Sequence, residues 1–198
     1  MIDFTNTAGW QVQQLANLEA SGTAFPALGG SKANSLLAQT FDPIFASGSA
    51  PVATGTLVGV LTAINEPVKV SKMVLETVST STTFAAGCIV DLNGNILAST
   101  ADFHAAWAAT TGLTEALSAS ITLSPGLYYL AVAAVGTSPT VAGVVPSSVS
   151  ANLNTSGTVG NLRCATLAGS ITTALPSSPI TLGGSETAVA SAPWIGLI

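Results

Sequence analysis

Ile89-Val90-Asp91-Leu92-Asn93-Gly94-Asn95-Ile96-Leu97 sets an Asn-Gly pair between two apolar runs. Asn-Gly tolerates the positive φ angles of a two-residue turn, so the stretch predicts a β-hairpin. The same grammar repeats outward from it. Thr56 to Ile64 is apolar and β-branched until Asn65-Glu66-Pro67 breaks it. Val68, Val70, Met73, Leu75 and Val78 alternate loosely, and the slip in parity between Val70 and Met73 predicts a bulge near Ser71. Phe84 to Asp91 is the strand that enters the hairpin. Asp102 to Thr111 reads as one helical turn or an irregular crossover. Downstream, Leu117, Ala119, Ile121 and Leu123 occupy alternate positions up to the turn Ser124-Pro125-Gly126. Leu127–Val135, Thr140–Val145, Leu162–Leu167, Ile171–Leu175 and Pro193–Ile198 complete the predicted strands. Turn signals recur at roughly 8–12 residue spacing and no helical period is sustained, so residues 56–198 read as an antiparallel β-sandwich or barrel.

Residues 1–55 read differently. Trp10, Val12, Leu15 and Leu18 share one face of a short helix over Trp10–Ala20, which Ser21-Gly22 stops. Turn-forming pairs follow, up to Ser47-Gly48-Ser49-Ala50-Pro51. Phe4, Trp10, Phe25, Phe41 and Phe45 are widely spaced aromatics on this mostly irregular stretch. They are the candidate contacts of an N-terminal arm that either attaches to another surface or packs back on its own domain.

Composition narrows the function. The chain has 198 residues, of which 48% are hydrophobic and only 7% charged, against roughly 25% charged in an average soluble domain. Mean hydropathy of +0.60 opposes disorder, which needs low hydrophobicity and high charge. Four Lys+Arg against nine Asp+Glu leave no basic patch for phosphates, so nucleic-acid binding is not expected. One His and two Cys are too few for the usual zinc sites, and no metal or other cofactor is expected. The longest apolar run, Leu127–Val135, is about half a transmembrane helix, so membrane insertion is not expected. Met1–Asn6 carries no basic n-region, and no signal peptide is expected. A surface so poor in charge has little protection against association, which points to burial among neighbours in an assembly.

Two stretches carry a family resemblance. One is Ile89-Val90-Asp91-Leu92-Asn93-Gly94-Asn95-Ile96-Leu97-Ala98 with Ala105-Ala106-Trp107 behind it; the other is Ile121-Thr122-Leu123-Ser124-Pro125-Gly126-Leu127-Tyr128-Tyr129-Leu130-Ala131. Over residues 56–198 the chain resembles the C-terminal β-sandwich modules of tailed-bacteriophage virion proteins, above all those of phages infecting actinobacteria. Ile89-Val90 stands where that pattern has Leu-Tyr. Ala192-Pro193-Trp194-Ile195-Gly196-Leu197 fits the closing strand of such modules. The resemblance implies a jelly-roll-like sandwich, often trimeric, on the virion exterior after assembly in the host cytoplasm. It implies a capsid decoration protein bound to the major capsid protein. Its rival is a minor tail or fibre protein that recognises host glycans.

Candidate chemistry is sparse. Asp102-Phe103-His104 pairs the only histidine with a carboxylate, but no Gly-x-Ser-x-Gly elbow supplies a nucleophile, and an enzyme is not expected. Asp91 to Asn95 lacks the glycine position and terminal Glu of a calcium loop and reads as a turn. Cys88 and Cys164 sit in different predicted strands; buried thiols are favoured over a bridge. Trp107, Tyr129 and Trp194 are the candidate glycan-stacking or interface aromatics. Adjacent Tyr128 and Tyr129 must point to opposite faces of their strand.

Overall fold

The computed structural model describes residues 36–41, 46, 48–79, 82–108, 111–144, 164–182, 187–189 and 191–198. In chain order the strands are β1 (Ala38–Gln39), β2 (Gly48–Pro51), β3 (Thr56–Ile64), β4 (Val68–Thr77), β5 (Thr82–Asp91), β6 (Ile96–Ser99), β7 (Thr111–Leu123), β8 (Gly126–Gly136), β9 (Thr140–Val144), β10 (Cys164–Ala168), β11 (Thr187–Ala188), β12 (Ala192–Pro193) and β13 (Gly196–Leu197). The fold is an antiparallel β-sandwich. A six-stranded sheet runs β11-β10-β3-β8-β5-β6; a seven-stranded sheet runs β1-β13-β4-β9-β12, with β2 on β9 and β7 on β4.

Six consecutive strands form nested antiparallel pairs. β5 pairs with β6, β4 with β7 and β3 with β8. The pattern is one long two-armed hairpin whose tip is the Asn93-Gly94 turn. Rolling it up brings β5 against β8 as well. That is jelly-roll winding, and it follows from where the breakers fall: Asn65-Glu66-Pro67 and Ser124-Pro125 bend both arms from one sheet to the other. The bulge expected near Ser71 is present, because the β4–β7 register shifts between Val70 and Lys72. Opposite it, residues 117–120 leave the ladder and Leu117 bridges to Thr100 beside β6. β7 thereby closes one side of the sandwich, the usual use of a bulge at a corner.

The core has two layers. Val58, Val60, Ile89, Leu130 and Val132 from the six-stranded sheet meet Val70, Met73, Leu75 and Leu123 from the other. The intervening residues Leu57, Phe84, Cys88, Tyr129, Ala131 and Leu167 form a second cluster on the opposite face. Ile171 and Ile180 cover that cluster, with Leu175 and Leu182 partly buried beside them.

Residues 171–175, expected as a strand, are part of this covering strap and pair with no strand. Ser170 at φ 60° turns the chain out of the sheet direction. The Ile171 N–H then donates to Gly55 O at 2.9 Å, and the Ile180 N–H to Gly94 O at 2.7 Å. Both acceptors are glycines with positive φ, 72° and 83°. A Cβ on Gly94 would lie 1.8 Å from Ile180 O, so only glycine lets the strap dock there.

The structure also draws residues 36–41 and 48–54 of the expected arm into the sandwich. β1 pairs with β13, and β2 pairs with β9 over four residues. Gly48-Ser49-Ala50-Pro51 has the composition of a turn, but its pairing and the complete burial of Ala50 make it a strand. Tertiary contact overrides local propensity here. The helix expected over Trp10–Ala20 and the arm positions 1–35 lie outside the described residues.

Candidate interaction surface

Asp102 and His104 follow β6, on the loop that carries a 3-10 turn at His104–Ala106. His104 Nδ1 lies 2.8 Å from Asp102 Oδ2. Asp102 Oδ1 accepts the N–H groups of Ala85 and His104, each at 3.0 Å. Partial burial works to raise the Asp102 carboxyl; those donors and the imidazole outweigh it and hold it below its ordinary value. The carboxylate therefore fastens the loop to β5 and starts the 3-10 turn.

Asp91 is used in the same way. Its Oδ1 accepts the N–H groups of Asn93 and Asn95 at 2.8 Å, and its Oδ2 accepts Asn95 Nδ2 at 2.8 Å. Partial burial acts upward on this carboxyl too, and the Asn95 and Asn93 donors bring it below its ordinary value. The carboxylate closes the hairpin turn. Among the described residues no group of three or more His, Cys, Asp or Glu side chains converges as a metal site would require. No described helix is long and apolar enough to cross a membrane.

Cys88 and Cys164 are buried thiols, not a disulfide. They lie on one sheet but in different clusters, Cys164 toward the inter-sheet core and Cys88 on the strapped face. Burial pushes both thiols up to about 12, so neither is a thiolate at neutral pH.

The candidate aromatics are all interior. Tyr129 is completely buried; Trp107 and Trp194 are 4% and 8% exposed. Trp107 stacks on Phe103 with ring centroids 6.1 Å apart. Trp194 Nε1 donates to Phe41 O at 3.0 Å, which ties the end of the chain to the segment around β1. A glycan needs an open ring face, so none of the three offers a sugar platform on this chain. Tyr128, on the other face of β8, is half-buried and donates to Ser124 O at 3.0 Å. Of the arm aromatics only Phe41 is described, and its backbone carbonyl makes the contact just given. Phe4, Trp10, Phe25 and Phe45 lie outside the described residues.

The exposed side chains that stand out are aliphatic. Leu37 is 45% exposed, Leu92 43%, Leu127 42% and Leu97 39%. None was singled out from sequence. Leu92 and Leu127 sit beside the two turns the sequence marks best, where a long apolar side chain has no local purpose, and that was the available signal. Leu37 and Ala63 line a common shallow cleft of about 150 Å³ with Asn65 and Glu66.

No family model matches the chain, and no curated protein matches it.

Proposed function

We propose that the protein is a non-enzymatic structural protein of a phage virion. In this reading it decorates the capsid exterior as a homotrimer in contact with the major capsid protein. The sandwich projects outward, and the segment before Leu36 attaches to the shell. The observation that carries the reading is the nested winding β3-β4-β5 on β8-β7-β6. It joins the hairpin residues 89–98 to residues 121–131, the two stretches that resemble virion modules. Two further features favour it. The carboxylates of Asp91 and Asp102 hold loop geometry through backbone N–H groups, a structural use that the reading accommodates. The charged fraction of 7% suits a chain that lives among neighbours. The rival glycan-binding reading draws on aromatics and hydroxyls; the burial of Trp107, Tyr129 and Trp194 takes away the aromatic part of that support.

Quantitative densitometry of purified virions tests the reading. Decoration requires the chain in hundreds of copies per particle, and a handful would overturn it. Deleting residues 1–35, which spares β1 and β2, should abolish particle binding while the sandwich still unfolds cooperatively. Retained binding would refute attachment through that segment.

A further inference from the structure

We propose that Asn93 is a site of spontaneous covalent modification, and that its reaction with the Gly94 backbone nitrogen releases the strap from the hairpin. This goes beyond the capsid reading and does not depend on it. Asn93 is the one asparagine in the chain that glycine follows. It is exposed at the hairpin tip. Glycine has no Cβ to screen its nitrogen from the preceding side chain, so the Gly94 nitrogen can close a five-membered ring on Asn93 Cγ. The nitrogen gives its proton to water and bonds to Cγ; the Cγ–Nδ2 bond breaks, and Nδ2 leaves as ammonia. Water then opens the cyclic imide. Addition at Cγ gives aspartate. Addition at the Asn93 carbonyl carbon gives isoaspartate, in which the main chain runs through the side-chain methylene and is one atom longer. In sum, an amide and a water become a carboxylate and an ammonium ion.

The turn is closed across the link that changes. The Gly94 N–H donates to Asp91 O, and the Asp91 N–H to Asn95 O, each at 3.0 Å. Both bonds span residues 93 and 94, so an extra main-chain atom there must displace one of them. The strap grips the far side of the same link. The Ile180 N–H donates to Gly94 O at 2.7 Å, and the Ile96 N–H donates to Ser178 Oγ at 3.0 Å. Gly94 reaches Ile180 from a buried position at φ 83°, so a turn one atom longer takes its carbonyl away from the strap. Either product also adds a carboxylate at residue 93, whose N–H already donates to Asp91 Oδ1 at 2.8 Å, setting like charge beside like. The same bonds govern the rate. While the Gly94 N–H is engaged by Asp91 O its nitrogen cannot turn onto Cγ, so reaction proceeds from the locally opened turn. A docked strap slows the reaction, and the product keeps the strap from docking again. Asn93 and Ile180 together form a one-way latch on the third layer.

Ageing the full chain in mildly alkaline buffer tests the latch. Peptide mass mapping should find conversion at Asn93 well before Asn65, which Glu66 follows, and Asn95, whose Nδ2 is held by Asp91 Oδ2. Labelling by an isoaspartyl methyltransferase should rise in step. In the modified fraction the Ile180 amide should exchange with deuterium roughly tenfold faster, while amides in the middle of β8 stay protected. Asn93→Gln can close only a slower six-membered ring and should keep the Ile180 amide protected through the same ageing. Ile180→Ala, which loosens the strap, should speed conversion at Asn93 several-fold. Conversion at Asn93 no sooner than at Asn65 and Asn95 overturns the proposal. So does a modified fraction in which Ile180 stays protected, or an Asn93→Gln chain that loses that protection on the same schedule. Exchange that quickens equally through β8 marks general unfolding and overturns strap release, and an Ile180→Ala chain that converts at the wild-type rate overturns the latch.

Discussion

On the six-stranded sheet every residue from Phe84 to Val90 and from Tyr129 to Ala134 is buried; on the seven-stranded sheet β7 alternates. Leu113, Leu117 and Leu123 point in there, while Thr114, Ser118 and Thr122 face solvent. An antiparallel sheet ordinarily needs one dry face. The unbroken apolar and small-residue runs of β5 and β8 commit the six-stranded sheet to two. The second dry face requires a third layer, and the strap provides it without regular structure. The difference teaches that a continuous apolar run in such a chain signals a cover elsewhere in sequence, whereas an alternating run is complete with two layers.

The sharpest way to break the comparison is to undock the strap at its Gly94 anchor. Gly94→Ala places a Cβ against Ile180 O and opposes the positive φ, and should cost about 3 kcal/mol in urea unfolding. Ile180→Ala removes a buried strap side chain and should cost about 2 kcal/mol, with increased binding of a hydrophobic dye to the bared face. Acid should loosen the hairpin that receives the strap. The folded Asp91 carboxyl lies below its ordinary value of 3.8, so its contribution is complete above that pH and disappears as pH falls through the folded value. Asp91→Asn should therefore show a smaller fall in Tm between about pH 5 and about pH 2.5 than wild type, measured by circular dichroism. Thr122→Ala, on the solvent face of β7, should shift stability by no more than about 0.5 kcal/mol in the same urea assay.

The sandwich was legible where local chemistry decides. Thr56–Ile64 appears with the bounds its breakers set, the Ser71 bulge stands where it was expected, and the hairpin forms at Asn93-Gly94, but through a turn over Asp91–Gly94 in which Gly94 and not Asn93 has positive φ. The jelly-roll winding came through family resemblance, not periodicity. Ile171–Leu175 misled because its β-branched composition is that of a strand, whereas the chain buries Ile171 and half-buries Leu175 with three exposed residues between them. Residues 36–41 and 48–54 misled in the other direction. Their strands are short, and partners far along the chain create them, as when Thr40 Oγ1 accepts the Ile195 N–H at 3.1 Å. The aromatics were legible as important but not as interior, since sequence places Tyr129 on a face of its strand without saying that the strap covers it. Leu92 and Leu127 became visible as neighbours only through the β8–β5 register.

Nested pairing has a kinetic consequence. Ile64 at the end of β3 must wait for Gly126, its partner across the ladder, and the outermost contacts close last. Among the described pairs the hairpin at Asn93-Gly94 closes the shortest loop, so the lowest entropy cost lies in forming it first and adding β4–β7 and then β3–β8 outward. Such non-local topology folds in milliseconds to seconds, not microseconds. A ribosome emitting β3 first releases a long apolar strand with no mate until β8 has emerged, so yield during synthesis should be governed by how fast the second arm arrives.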